Sequence, residues 1–195
     1  MVTQMSNDIP GVVVLEDFLP EFDRVRKHAQ LSHFYDWKAQ DGEVYKRISL
    51  LHVPGMLQAL EENLGPVRIA AMGYRLNYEG EDPNQSIHAD LGFATHACVV
   101  YLNPGDSGTA FWKHKETGAT DIWYGERELY DQVKKDFENP EAWEQRQVVP
   151  TKPNRAVIYK GNMFHSRFPF KAFGTTPEDG RLVAIAFFAF QEDEE

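Results

Sequence analysis

The sequence is poor in cysteine, short of positive charge and free of long apolar runs. Cys98 is the single cysteine in 195 residues. One thiol cannot close a disulfide within the chain or build a cysteine-rich zinc or iron–sulfur site. Flanked by Ala97 and Val99, it reads as a small buried hydrophobe rather than a nucleophile. Lys and Arg number 20 against 30 Asp and Glu, a formal charge of −10. That balance argues against general nucleic-acid binding, which needs a basic face for phosphate. No apolar run approaches membrane-spanning length. The first eight residues have neither the basic nor the apolar stretch of a secretory signal. The expectation is a soluble, cytoplasmic protein with no membrane partner. P-loop and dinucleotide glycine patterns, a nucleophile elbow and an HExxH helix are also missing. The length suits one domain spanning residues 1–195 with a substantial core.

What is present is His88-Ala89-Asp90, with His165 lying 75 residues beyond Asp90. On a strand, positions i and i+2 share a face, so His88 and Asp90 can reach one ion while the small Ala89 points away. A neighbouring strand can add His165. Two imidazoles and one carboxylate form the facial ligand set of non-haem Fe(II) oxygenases, which leaves the opposite side of the ion open. An HxD triplet arises easily by chance, so its surroundings matter. Strand-like runs precede it at Tyr74-Arg75-Leu76-Asn77-Tyr78 and follow it at Ala97 to Leu102, with a turn signal at Asn103-Pro104-Gly105-Asp106. Strand character resumes at Gly108 to Trp112, and His165 comes after Ala156-Val157-Ile158-Tyr159 and a Lys160-Gly161-Asn162 turn. Each candidate ligand therefore stands at a strand end, as at the mouth of a barrel.

The first third reads differently. Val12 to Leu15 predicts a strand, and Pro20 opens a helix with Phe22, Val25 and Ala29 on one face. Ile48 to Val53 suggests another strand. A short helix follows with Leu57, Leu60 and Leu64 inward, closed by Gly65-Pro66. From Val67 onward β-character dominates, so helices pack on one outer face of a sheet structure. The exception is a helical insertion around residues 125–147. There Leu129, Tyr130, Val133 and Phe137 fall at helical spacing, and Asn139-Pro140 opens a second short helix through Ala142 and Trp143. It would cover a sheet edge or act as a lid. His52 and His96 lie in apolar runs as core or pocket-lining residues, with His96 able to pair with His88 in a rival metal set. His114 reads as part of a solvated turn. Aromatics crowd the expected mouth, among them Phe93, Phe111, Trp112, Trp123 and Tyr124.

The motifs His88-Ala89-Asp90, Tyr101-Leu102-Asn103, Gly108-Thr109-Ala110, Asn162-Met163-Phe164-His165 and Arg181 resemble those of the Fe(II)/2-oxoglutarate-dependent dioxygenases, prolyl-hydroxylase-like branch. The resemblance runs over roughly residues 67 to 190. It implies a mainly β fold with flanking helices, a double-stranded β-helix or cupin-like jelly roll. It implies Fe(II), 2-oxoglutarate and O2, with oxidation of an unactivated C–H bond coupled to decarboxylation of 2-oxoglutarate. His88, Asp90 and His165 match the iron ligands. Arg181 matches the guanidinium that grips the far carboxylate of the co-substrate through paired hydrogen bonds. Tyr101 and Tyr78 match tyrosines of that pocket. His165 to Arg181 spans 16 residues, longer than usual in this branch, and the turn-rich Gly174 to Gly180 accounts for the excess. Arg167 and Lys171 are the rival carboxylate partners. The expected reaction is hydroxylation of an amino-acid side chain, free or within a peptide or protein. A cupin-like metalloenzyme without 2-oxoglutarate, or a non-catalytic binding module, are the competing readings.

Overall fold

The computed structural model describes residues 9–38, 44–80, 87–92 and 94–191. Phe93 and the first eight residues, which figure in the sequence reading, lie outside the described residues. Strand β1 (Val12–Leu15), helix α1 (Phe22–Gln30), strands β2 (Tyr35–Lys38) and β3 (Val44–Ser49) and helix α2 (Met56–Leu64) come first. Strands β4 (Val67–Asn77), β5 (His96–Tyr101) and β6 (Gly108–His114) follow, then helix α3 (Arg127–Lys134). Strands β7 (Trp143–Pro150), β8 (Ala156–Lys160), β9 (His165–Phe168) and β10 (Arg181–Phe190) complete the chain.

The strands form a seven-stranded sheet, ordered β1-β8-β5-β10-β4-β3-β2, and a three-stranded sheet, ordered β7-β6-β9. All the pairings are antiparallel. This is the double-stranded β-helix, a jelly roll with helices on its outside.

Strand alternation explains the layering. On β10, Leu182, Ala184, Ala186 and Phe188 enter one apolar cluster with α1 and α2, which supply Val25, Ala29, Met56, Ala59 and Leu60. Val183 turns the other way, into a second cluster between the sheets with Ala97, Tyr101, Val157 and Tyr159 of the large sheet and Phe111 and Val149 of the small one. Burial on both faces is why β5, β8 and β10 read as continuous apolar runs. A third cluster covers the outside of the small sheet, where Val133 of α3 meets Ala110, Trp112, Trp143 and Phe164. No helix among the described residues is long and apolar enough to cross a membrane.

Several local expectations are corrected. The helical reading of residues 125–147 holds only for Arg127–Lys134 and a single 3₁₀ turn at Pro140–Ala142. Trp143 begins β7, opposite His114 of β6. Its ring packs on His114 and Phe164, and its indole N–H donates to the Asp136 carbonyl at 2.7 Å. These tertiary bonds override the local helix signal. His114 is not solvated: it is 1% exposed and its Nε2 lies 3.1 Å from Asp136 Oδ2. Strand β3 stops at Ser49, and His52 is exposed. The inward face of α2 is set by Met56, Ala59 and Leu60, leaving Leu57 41% exposed.

Candidate metal centre

His165 opens β9, between Phe111 of β6 and His88 on its other side. His88 is a single bridge residue rather than part of a longer strand. Its N–H donates to His165 O at 3.0 Å, and His165 N–H returns the bond to His88 O at 2.9 Å. Ile87, just before it, donates to Phe137 O at 2.9 Å, so the segment after α3 anchors the approach to His88. Asp90 leaves the sheet but is held by its N–H, which donates to Gly161 O at 2.7 Å. Gly161 packs closely on this segment. A Cβ there would lie 3.2 Å from Ala94 O and 3.3 Å from Asp90 O.

The side chains converge. Asp90 Oδ1 is 3.5 Å from His88 Nε2, and Asp90 Oδ2 is 3.2 Å from His165 Nε2. One ligand atom from each residue lies within 4.8 Å of the others, a set that could share one divalent ion. His165 Nδ1 donates to the Met163 carbonyl at 2.9 Å, which fixes the ring with Nε2 facing the carboxylate. The Tyr159 ring backs it, centroid to centroid at 4.6 Å. Burial pulls the Asp90 carboxyl up, but the His165 and His88 imidazoles more than offset it and hold it well below the usual carboxylate range. His96 does not join. It lies between Phe188 and Phe190, with ring centroids at 5.5 and 4.9 Å.

The triad forms one part of the lining of a cavity between the sheets. Thr109, Tyr159, Ser166, Val183, Ile185 and Phe187 contribute further wall, together with three arginines, Arg75, Arg167 and Arg181. Arg181 starts β10 opposite Asn77, and its Nη1 donates to Asn77 Oδ1 at 3.3 Å. Its Nε is buried with no hydrogen-bond partner among the described residues. Arg167 shares β9 with His165 two positions away, so both side chains face inward; it donates to the Phe170 carbonyl. Arg75 comes from β4, opposite Val183, and its Nε also lacks a partner among the described residues. Burial brings the Arg75 guanidinium down to about 10, with Arg181 pulling the same way and Asp90 opposing. Burial, then repulsion from Arg181 and Arg75, brings Arg167 down to about 9. Three like charges share a desolvated space with one carboxylate, an arrangement suited to anions.

The structure therefore brings His88, Asp90, His165, Arg181 and the rival Arg167 to one cavity. Tyr101 faces the same interior, but its hydroxyl is held by Thr109 Oγ1 at 2.8 Å and donates to Val149 O at 3.1 Å. It braces Thr109, which lines the cavity, rather than lining it directly. Tyr78 is not brought there. Arg75 and Asn77 have the inward parity of β4, so Tyr78 follows Tyr74 and Leu76 onto the α1 and α2 side. The Arg47 guanidinium lies over its ring, 4.4 Å from the centroid. Lys171 is exposed. Arg75 is the residue that sequence reasoning missed; its signal was an arginine between two apolar positions of a strand.

A family model matches residues 82–188, more than half of the sequence and the part that carries the triad and Arg181. The chain belongs to the DUF6445 family. That family is described as one of unknown function. No protein of curated function matches this DUF6445 sequence. Solved structures resemble it in fold. EvdMO1 is 15% identical with a TM-score of 0.53, over 93% of this chain and 47% of its own. The DUF6445 chain thus spans about half the length of EvdMO1. AviO1 from Streptomyces viridochromogenes Tue57 is 13% identical with a TM-score of 0.52, over 91% of this chain and 89% of its own. An N-substituted L-amino acid dioxygenase from Burkholderia ambifaria AMMD, in complex with alpha-KG, is 10% identical with a TM-score of 0.50, over 94% of this chain and 84% of its own.

Proposed function

We propose that this DUF6445 protein is an Fe(II)- and 2-oxoglutarate-dependent oxygenase of the prolyl-hydroxylase-like arrangement. It would hydroxylate a C–H bond of an amino-acid side chain, free or within a peptide or protein. One observation carries the reading: His88, Asp90 and His165 converge in a cavity that also holds Arg181 and Arg167. The donor set suits Fe(II), since two imidazoles and a carboxylate bind it while leaving positions open. The buried, unmatched Nε of Arg181 suits a carboxylate. That guanidinium is what favours the keto acid over a cupin-like enzyme that does without it.

In this reading the iron and the keto acid supply the oxidising chemistry, by which 2-oxoglutarate, O2 and a C–H bond become succinate, CO2 and an alcohol. The chain's own residues bind and orient. His165 is locked by Met163 and backed by Tyr159, so its Nε2 would be presented to the metal. Asp90 is fixed through its backbone to Gly161. Arg181, braced by Asn77, and Arg167 hold the far carboxylate of 2-oxoglutarate, and Tyr101 steadies Thr109 beside them. Val183, Ile185 and Phe187 keep that wall dry, which strengthens the charge pairing. The same reading takes residues 1–195 as one catalytic domain, since these groups, from both sheets and from the segments that connect their strands, line one interior. A cytoplasmic location suits Fe(II) and the single reduced Cys98.

The test is anaerobic binding of 2-oxoglutarate to the Mn(II)-loaded protein, read by thermal shift. At a hundredfold excess over Kd, binding adds about 2.7 kcal/mol to stability. Asp90→Ala should abolish the metal-dependent part. A metal-loaded protein indifferent to 2-oxoglutarate would end the keto acid reading. Succinate release screened over amino acids, peptides and their derivatives then identifies the substrate.

A further inference from the structure

The cavity holds more positive charge than the keto acid reading uses. That reading assigns Arg181 and Arg167 to one carboxylate and the metal to the other. Arg75 is left over, although it lines the same cavity and its buried Nε has no hydrogen-bond partner among the described residues. An unmatched guanidinium in a desolvated cavity is costly, so a group kept there points to an anion that meets it.

Strand register separates Arg75 from the other two. Along β10, Arg181 faces Asn77, while Val183 faces Arg75. Further along the same strand, Phe187 faces Ala97, and Ala97 faces Tyr159, whose ring rests on His165. The triad thus lies towards the Phe187 end. Arg75 is two residues nearer to it than Arg181, about 7 Å along the strands. The charges agree with this order. Asp90 is among the groups that act on Arg75 and not among those that act on Arg181, while Tyr159 acts on both. Arg75 therefore lies nearer than Arg181 to the triad, on a strand that lines the same cavity.

We propose that Arg75 receives a carboxylate of the substrate itself, so that the substrate is a free amino acid or another small carboxylic acid rather than a residue inside a peptide. The backbone of an internal peptide residue offers only neutral amides where a free acid carries its carboxylate. An amide would leave the guanidinium without its counter-charge, and sites built for a polar group discriminate strongly against ligands that lack it. This inference rests on the keto acid reading, because it takes Arg181 and Arg167 as already engaged.

The test uses the full chain, loaded with Mn(II) and saturated with 2-oxoglutarate under anaerobic conditions. The probes are N-acetyl-L-amino acids and the matching N-acetyl amino amides, with binding read by calorimetry and thermal shift. At least one acid should bind, and its amide should bind about 10- to 100-fold more weakly. Arg75→Gln should lose the preference for the acid while 2-oxoglutarate affinity stays within about threefold, and Arg75→Lys should restore part of it. If Arg75→Gln does not fold, the acid and amide pair on the wild-type protein and on Arg75→Lys carries the test. Equal binding of acid and amide, or binding of neither, overturns the proposal and leaves the keto acid reading standing. So does a loss of 2-oxoglutarate affinity in Arg75→Gln as large as in Arg181→Gln, which would make Arg75 part of the co-substrate site. Failure of the wild-type protein to bind 2-oxoglutarate removes both.

Discussion

Replacing Gly161 by alanine tests the metal centre without touching a ligand. The new methyl would sit 3.2 Å from Ala94 O, 3.3 Å from Asp90 O and 3.7 Å from Asp90 Cβ. The two oxygen contacts are a few tenths of an ångström tighter than ordinary packing, and both belong to backbone rather than to a flexible side-chain tip. The least costly relief is an outward shift of the Asp90 segment, which hangs on Gly161 by the 2.7 Å hydrogen bond from Asp90 N–H. Small overpacking of this kind costs about 1 kcal/mol. In a chain of this length that lowers Tm by roughly 2–4 °C. The effect on the ion is larger than the effect on the fold. Asp90 has to span both His88 and His165, and disturbing a group that orients a ligand costs about tenfold in metal affinity. Anaerobic Fe(II) or Mn(II) titration followed by calorimetry reads this directly, with the Tm of the metal-free protein as the control. A folded Gly161→Ala protein that binds metal as tightly as wild type would refute the claim that Asp90 is a ligand held in place through Gly161.

Arg181→Gln should raise the Kd for 2-oxoglutarate roughly 10- to 100-fold, with metal affinity unchanged; Tyr78→Phe should leave both constants alone, and a large effect there would contradict its position on the far side of β4. Glu16→Gln removes the partner of Arg155 Nε (2.7 Å) and Lys152 Nζ (2.8 Å), with Glu16 and Arg155 both buried. Breaking such a pair costs about 3 kcal/mol, roughly 6–12 °C in Tm by differential scanning calorimetry. Burial pushes the Glu16 carboxyl up, but hydrogen bonds from Lys152 and Arg155 bring it below its ordinary value of 4.5. The folded value is the lower one, so the stabilisation is fully present above pH 4.5 and fades as pH falls through the folded value. The Tm gap between wild type and Glu16→Gln should therefore narrow only in acid, and a gap that is flat with pH would refute the assignment.

The triad and the jelly roll were legible because chemistry and geometry restrict them together. An ion of this kind needs imidazole and carboxylate at strand ends, and antiparallel strands buried on both faces leave long apolar runs such as Ala97 to Leu102. Parity decided what was legible in the pocket. The family resemblance implied a pocket role for Tyr78, but in the second half of β4 it is Arg75 and Asn77 that face inward, and Tyr78 falls with Tyr74 and Leu76 on the helix side. The same parity hid Arg75. A charged residue between Tyr74 and Leu76 looks like the solvent side of a strand, and only the second sheet turns that side into an interior. Trp143 and His114 were misread for a related reason. Local composition around Asn139-Pro140 favours a helix, and the hydrogen bond from Trp143 to Asp136, with the pairing of Trp143 and His114 across β6 and β7, exists only in the assembled fold.

His165 and Arg167 sit two positions apart on a strand of four residues, and everything they do depends on which way that strand is turned. A slip of one position in its pairing with β6 would rotate both side chains out of the interior at once. Such a chain would lose a candidate metal ligand and a cation from the cavity together while keeping most of its apolar layers, so faulty threading of this one short segment would yield a protein that is folded yet without its candidate site.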